Sequence, residues 1–306
     1  MLFFDVLEGF APPKAEEERI FWFLSSRICN LLKGLTMNSR AVQAALLAIS
    51  FMWLAGVCQA TEGEPPTGRE IMQWVNDRDE GDYETSEMEM VLIDKSGKTR
   101  TRKMTNMRRD KGEDRESLLF FTSPADVKNT GFLSYDYIDA DRDDDQWLYL
   151  PALKKTKRIA GGDKGGSFMG SDFSYSDMSK PALDRYQYTL MKEAEVDGIE
   201  MWQVEAIPNE KEQKQTGYTK IINFVRKDNH VLARAVIFVK KGKRLKYMNV
   251  DKLELIDGIW VATEISMTTK RGKKTMHKTK LRNSNVKFGQ PLSEGTFTVR
   301  RLEKGL

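Results

Sequence analysis

A chain of 306 residues holds one large domain or two ordinary ones, at roughly 100–200 residues each. Its 40% hydrophobic and 10% aromatic content excludes wholesale disorder. The 49 cations against 45 acids are too nearly balanced for a dedicated nucleic-acid binder. Two cysteines (Cys29, Cys58) and two histidines (His230, His277) exclude a disulfide framework and a four-thiolate zinc site, and disfavour most enzymes that work through His or Cys.

The first sixty residues differ from the rest. From Met37 a short start with one cation, Arg40, leads into an apolar run ending in Gly56-Val57-Cys58-Gln59-Ala60, and polar residues follow. This is the layout of a secretory signal peptide over 37–60, with Cys58 and Ala60 at the small-x-small cleavage site. Signal peptides begin chains, so residues 1–36 are expected to be an N-terminal extension ahead of the true start at Met37. The run is at the short end for a membrane span and carries Gln43. A lipoprotein signal would want a small residue where Val57 stands. Both cysteines precede residue 61, so the exported part, 61–306, is expected to be cysteine-free and periplasmic, as suits an oxidising compartment.

Thr67 and Glu70 have the Thr-x-x-Glu spacing of a capping box, and Ile71, Met72, Trp74 and Val75 follow, which predicts a short amphipathic helix over about 68–78. Beyond it the pattern is strand after strand. Turn dipeptides at Ser96-Gly97, Asp197-Gly198, Lys241-Gly242, Asp257-Gly258 and Arg271-Gly272 separate runs rich in Val, Ile, Thr, Tyr and Phe, the mark of hairpins. Candidate strands fall at 82–94, 98–109, 114–122, 131–138, 146–150, 154–159, 184–196, 199–207, 218–227, 230–240, 243–256, 259–270 and 273–287; discounting for boundary errors, about 11 are expected. Tight turns make neighbours antiparallel. The expectation is therefore a mainly β, antiparallel, incompletely closed barrel wrapped over a few short helices.

Alternation assigns faces. Met88, Met90 and Leu92 oppose Glu87 and Glu89, and Trp202, Val204 and Ala206 oppose Gln203 and Glu205, so one side is apolar and the other charged. The apolar side is either packed solid or left partly open as a cavity. Fifteen methionines, flexible and polarisable, favour varied apolar ligands.

No catalytic constellation emerges. Asp139 to Asp145 lacks the glycine and glutamate an EF-hand loop needs and reads as a solvated acidic turn, with no metal expected. Gly161 to Ser167 lacks the Gly-Lys-Ser/Thr order of a phosphate loop and reads as a mobile loop. His230 and His277 read as exposed. Basic runs at 98–109, 154–158 and 270–282 read as solvated strand faces, with docking to anionic headgroups (a transient membrane contact) or to an acidic partner as the rival.

The most distinctive stretch runs through Trp147, Tyr149, Pro151 and Arg158 to Phe168, Met169, Gly170, Asp172, Phe173 and Tyr175. This pattern resembles the outer-membrane lipoprotein-sorting protein family, relatives of the periplasmic carrier LolA, over essentially all of 66–304. Where the family has Tyr-Glu-Asp, this chain has Tyr175-Ser176-Asp177. The resemblance implies an unclosed antiparallel barrel sheltering the acyl chains of a lipoprotein or lipid, with an RND-type or ABC-type inner-membrane transporter as partner and no cofactor or enzymatic activity. Expected lipid-binding residues are Met88, Met90, Leu92, Trp147, Tyr149, Phe168, Met169, Phe173, Tyr175, Trp202 and Val204, with Arg158, Gly170 and Asp172 as loop motif. An envelope-stress sensor that binds an anti-sigma factor is the alternative role.

Overall fold

The computed structural model describes residues 64–241 and 243–306; the expected extension over 1–36 and signal peptide over 37–60 lie outside them. The first described element is helix α1 (Gly68–Asp77). Its capping box is formed as the spacing predicts: Glu70 N donates to Thr67 Oγ1 (3.2 Å) and Thr67 N donates to Glu70 Oε2 (2.8 Å).

Thirteen strands follow: β1 (Tyr83–Asp94), β2 (Thr99–Lys111), β3 (Asp114–Ser123), β4 (Gly131–Asp136), β5 (Asp145–Leu150), β6 (Lys155–Arg158), β7 (Tyr186–Val196), β8 (Ile199–Pro208), β9 (Tyr218–Arg226), β10 (Leu232–Val239), β11 (Arg244–Ile256), β12 (Ile259–Arg271) and β13 (Lys274–Phe288). They form one sheet in the order β6-β5-β4-β3-β2-β1-β13-β12-β11-β10-β9-β8-β7, antiparallel throughout. The edges β6 and β7 are not paired with each other, so the barrel is incompletely closed. The expected number of about 11 is corrected to thirteen: every candidate segment is a strand, even β6, whose four residues give little pattern.

Two further helices carry little sequence signal because each is under two turns long: α2 (Glu210–Thr216), capped by Asn209 and stopped by Gly217, and α3 (Val299–Lys304), capped by Thr298. Each side of the sheet has its own cover. On the concave side α1 packs over β7 to β10, where Ile71 and Met72 meet Trp202, Val204, Val225 and Leu232. Its approach to β7 is close: a Cβ on Gly68 would stand 2.7 Å from Leu190 N. On the convex side, α3 and Phe297 cover Leu118, Phe120, Leu133, Trp147 and Tyr149 of β3 to β5. Elsewhere the convex side is a charged ladder: Arg282 donates to Glu89 (3.1 Å) and Glu264 (2.8 Å), and Lys280 pairs with Glu264 and Asp251.

Candidate functional site

The largest apolar cluster lies on the concave side. It joins Met90 and Leu92 of β1, Met104 of β2, Leu119 and Phe121 of β3, Phe132 of β4 and Leu148 of β5 to Tyr218 of β9, Ala235 and Ile237 of β10, Met267 of β12 and Leu281 of β13. What covers it is not regular structure but the connection between β6 and β7. Ile159, Phe168 and Phe173 of this segment are buried within the cluster, and Met169, Tyr175 and Met178 pack against it. Phe168 is fully buried, with its ring edge-on to Phe132 (centroids 5.2 Å) and Tyr175 (5.6 Å).

The stretch 161–167, read from its glycines as a mobile loop, opens the segment 161–178, whose backbone is a run of short turns. Its aromatics are turned inward, because the sheet curves around a concave apolar surface that would otherwise face water. Its glycines serve close approach and a reversed turn. A Cβ on Gly165 would meet Thr216 O at 2.8 Å, and Gly170 has φ +77° beside Met169 at +49°, a backbone region that favours glycine. The apolar side, read as either packed or partly open, is occupied by this plug.

Polar groups fasten the plug at several points. The buried Asp172 carboxylate accepts hydrogen bonds from Thr269 Oγ1 of β12 and Thr279 Oγ1 of β13 (2.8 Å) and contacts His277 Nδ1; Asp172 N in turn donates to Thr279 Oγ1 (3.0 Å). Asp177 accepts from Tyr218 OH (2.8 Å) and from Lys246 Nζ (3.2 Å), which also donates to Tyr218 OH (2.7 Å). Burial and the neighbouring Asp177 push the Tyr218 hydroxyl well above its ordinary pKa, so it remains a donor. Arg102 donates to Met169 O, and Gln146 Nε2 to Tyr175 O (2.9 Å). At the base, Lys164 Nζ donates to Asp144 O (2.8 Å) inside a buried network in which Arg185 donates to Asp144 Oδ2 (3.0 Å) and faces Glu212 (3.7 Å).

These placements sort the predicted residues. Met90, Leu92, Phe168 and Phe173 meet in the concave cluster, and Met88, Met169 and Tyr175 pack onto it. Trp202 and Val204 lie on the concave side too, under α1. Trp147 and Tyr149 stand apart: alternation places them on the opposite face of β5 from Leu148, beneath α3, with Trp147 edge-on to Tyr135 (5.1 Å). Arg158 sits on edge strand β6 and pairs with Asp145. Asp172 is a fastening point, and Gly170 a turn. Of the groups read as exposed or solvated, His277 is exposed but engaged, and the acidic turn is partly paired. His277, half exposed, touches Asp172, and the acidic turn of 139–145 turns Asp143 to Lys211 (2.9 Å) and Asp144 to Arg185. Thr269, Thr279, Tyr218 and Lys246 escape sequence reading because their partners are 28 to 107 residues away.

Comparison with known proteins agrees with this architecture. A family model described as "Uncharacterized protein" matches residues 113–304. No curated protein sequence matches the chain. Among solved structures, a DUF1329 family protein from Desulfovibrio piger is 33% identical, with a TM-score of 0.71, over 77% of this chain and 97% of its own. A candidate outer membrane lipoprotein-sorting protein domain from Vibrio parahaemolyticus is also 33% identical, with a TM-score of 0.70, over 77% of this chain and 98% of its own. A LolA superfamily protein from Nitrosomonas europaea, 16% identical with a TM-score of 0.59 over 78% of this chain and 100% of its own, shares the fold. With a third of its residues identical to the first two over nearly their whole lengths, this chain belongs to the family of the DUF1329 protein and of the candidate lipoprotein-sorting domain, and it has the fold of the LolA superfamily.

Proposed function

We propose that this protein is a non-enzymatic periplasmic carrier that shelters the acyl chains of a lipid or lipoprotein on its concave face. One observation carries the reading: an apolar surface contributed by ten strands is covered by an irregular aromatic segment held by discrete polar contacts. A segment fastened by side chains can leave without breaking the sheet, and its departure exposes a surface suited to hydrocarbon. The relatives named for lipoprotein sorting and for the LolA superfamily support the same class of cargo.

In this reading Phe168, Met169, Phe173 and Tyr175 occupy in the empty carrier the ground that acyl chains take in the loaded one, and Met88, Met90 and Leu92 line it. Trp202 and Val204 extend it toward α1. An inner-membrane RND-type or ABC-type transporter would supply the cargo, and direction would come from differences in affinity between donor, carrier and acceptor. Lipid extraction and mass spectrometry of the protein purified from its native envelope test the proposal. A stoichiometric acyl lipid or lipoprotein is expected, together with saturable binding of an apolar fluorophore that long-chain fatty acid displaces. Protein free of lipid that also fails to bind the fluorophore would overturn the carrier.

A further inference from the structure

The register of the sheet gathers a set of unpaired cations at one end. Ile93 pairs with Thr99, Asp94 with His277, Arg271 with Lys274, Arg244 with Arg271, and Val239 with Arg244. The turns β1–β2, β12–β13 and β10–β11 are therefore neighbours on a single rim. They and the strand ends beside them carry Lys95, Lys98 and Arg100; Lys240, Lys241, Lys243 and Arg244; and Lys270, Arg271, Lys273 and Lys274, against one acid, Asp94. Following β2 to β5 in register brings the β5–β6 turn, with Lys154 and Lys155, to the same end. None of these thirteen cations forms an ion pair among the described residues, whereas Arg108, Arg109, Lys280 and Arg282 on the strand bodies are all paired. The opposite rim is acidic and cross-linked: its turns hold Asp110, Glu113, Asp114, Asp197, Asp228 and Asp257, with partners such as Arg115 and Arg234.

We infer that this basic rim docks the protein on an anionic phospholipid bilayer. Charge complementarity gives the sign of the partner, and the acidic opposite rim gives the molecule a dipole that orients it on approach. Ten of the thirteen cations are lysines, mobile point charges suited to a diffuse anionic surface, whereas an acidic protein partner selects arginine's bidentate geometry. The rim also exposes apolar side chains among its cations: Leu153, 63% accessible beside Lys154, and Met276, 36% accessible beyond Lys274. Such groups suit the headgroup boundary. The rim is also where the plug is fastened. Thr269 and His277, which hold Asp172, and Arg102, which holds Met169 O, lie within a few residues of the basic turns. Docking would set the plug's tip against the bilayer. The inference rests on charge and register, and stands whether or not the concave face carries lipid.

Vesicle flotation of the full chain tests it, using vesicles with one-third phosphatidylglycerol and, as reference, pure phosphatidylcholine, which reports any binding by the apolar run over 37–60. Binding to the anionic vesicles alone is expected, and it should weaken steeply with added salt. Removing four rim charges together (Lys241→Ser, Lys243→Ser, Lys273→Ser, Lys274→Ser) should weaken that binding on the order of a hundred- to thousandfold. Removing four exposed lysines elsewhere (Lys192→Ser, Lys252→Ser, Lys287→Ser, Lys304→Ser) should change it less than about tenfold, though the net charge falls equally. All substituted side chains are exposed, and matched melting curves will verify that both variants fold. Equal losses in the two variants, or no preference for anionic vesicles, would each overturn the inference.

Discussion

Replacing Phe168 with alanine separates a plug that belongs to the folded unit from one that merely lies on it. The Phe168 ring is fully buried and lies against Phe121 (6.2 Å between centroids), Phe132 and Tyr175. Truncating such a ring removes its transfer free energy and leaves a cavity, a loss of about 3–5 kcal/mol. In a unit of this size each kcal/mol moves the melting temperature by about 2–4 °C. Phe168→Ala should therefore melt about 6–20 °C lower by calorimetry, and amide exchange over 164–178 should quicken. The emptied space lies where the proposal puts an acyl chain, so saturating fatty acid should restore part of the loss by mass action, about 2.7 kcal/mol at a hundredfold excess over its Kd. A melting shift under about 2 °C, with exchange unchanged, would refute the reasoning: the plug would not be integral to the fold, and Phe168 would not be the group that holds it.

Other perturbations reach different parts of the structure. Burial raises the Asp136 carboxyl to about 6, so its contribution to stability is complete below about pH 4 and lost as pH rises through 6. Asp136→Asn should gain on the wild type by about 3 kcal/mol between pH 4 and 7, read by urea unfolding at each pH; parallel profiles would remove Asp136 as the cause. Asp144→Ala strands Arg185 and Lys164, both buried, and should cost about 3–5 kcal/mol in the same assay. Its loss should shrink when Arg185→Met is combined with it, and simple additivity would argue against the network. At Gly68 the added methyl meets backbone rather than a movable side chain, so Gly68→Ala should displace α1 and cost about 1–3 kcal/mol, despite alanine's better helix propensity; a more stable variant would contradict the close packing.

Sequence carried most of the fold because its signals are local. Five of the hairpins announce themselves through a turn dipeptide between alternating runs, and all thirteen candidate strands form. Face assignment worked where alternation was continuous, as at Met88, Met90 and Leu92. It could not tell which side of β5 was concave: Trp147 and Tyr149 alternate with Leu148 either way, and only α3, over a hundred residues later, marks their side as convex. The plug was visible as a distinctive segment, but its inward turn was not. That direction is fixed by Asp172 meeting Thr269, Thr279 and His277, partners about a hundred residues away with no spacing rule between them. His277 shows the limit most plainly, since its sequence neighbours are lysines and its carboxylate arrives from another part of the chain.

The exchange of plug for cargo can be weighed. Burying an acyl chain of about 15 methylenes is worth about 12 kcal/mol, at about 0.8 kcal/mol each. Releasing Phe168, Met169, Phe173 and Tyr175 to water forfeits about 1.5–3 kcal/mol apiece, roughly 6–12 kcal/mol together. The difference is about 0–6 kcal/mol, so the net affinity of the proposed carrier is what remains between two opposing burials, trimmed further by the hydrogen bonds to Asp172 and Asp177. An open cavity of the same area would bind lipid far more tightly and release it far more slowly. A plug that competes for the same apolar surface makes loading and unloading reversible without nucleotide hydrolysis. It also makes the direction of transfer sensitive to modest changes at the polar fastenings, which is where a donor or acceptor would act to the greatest effect.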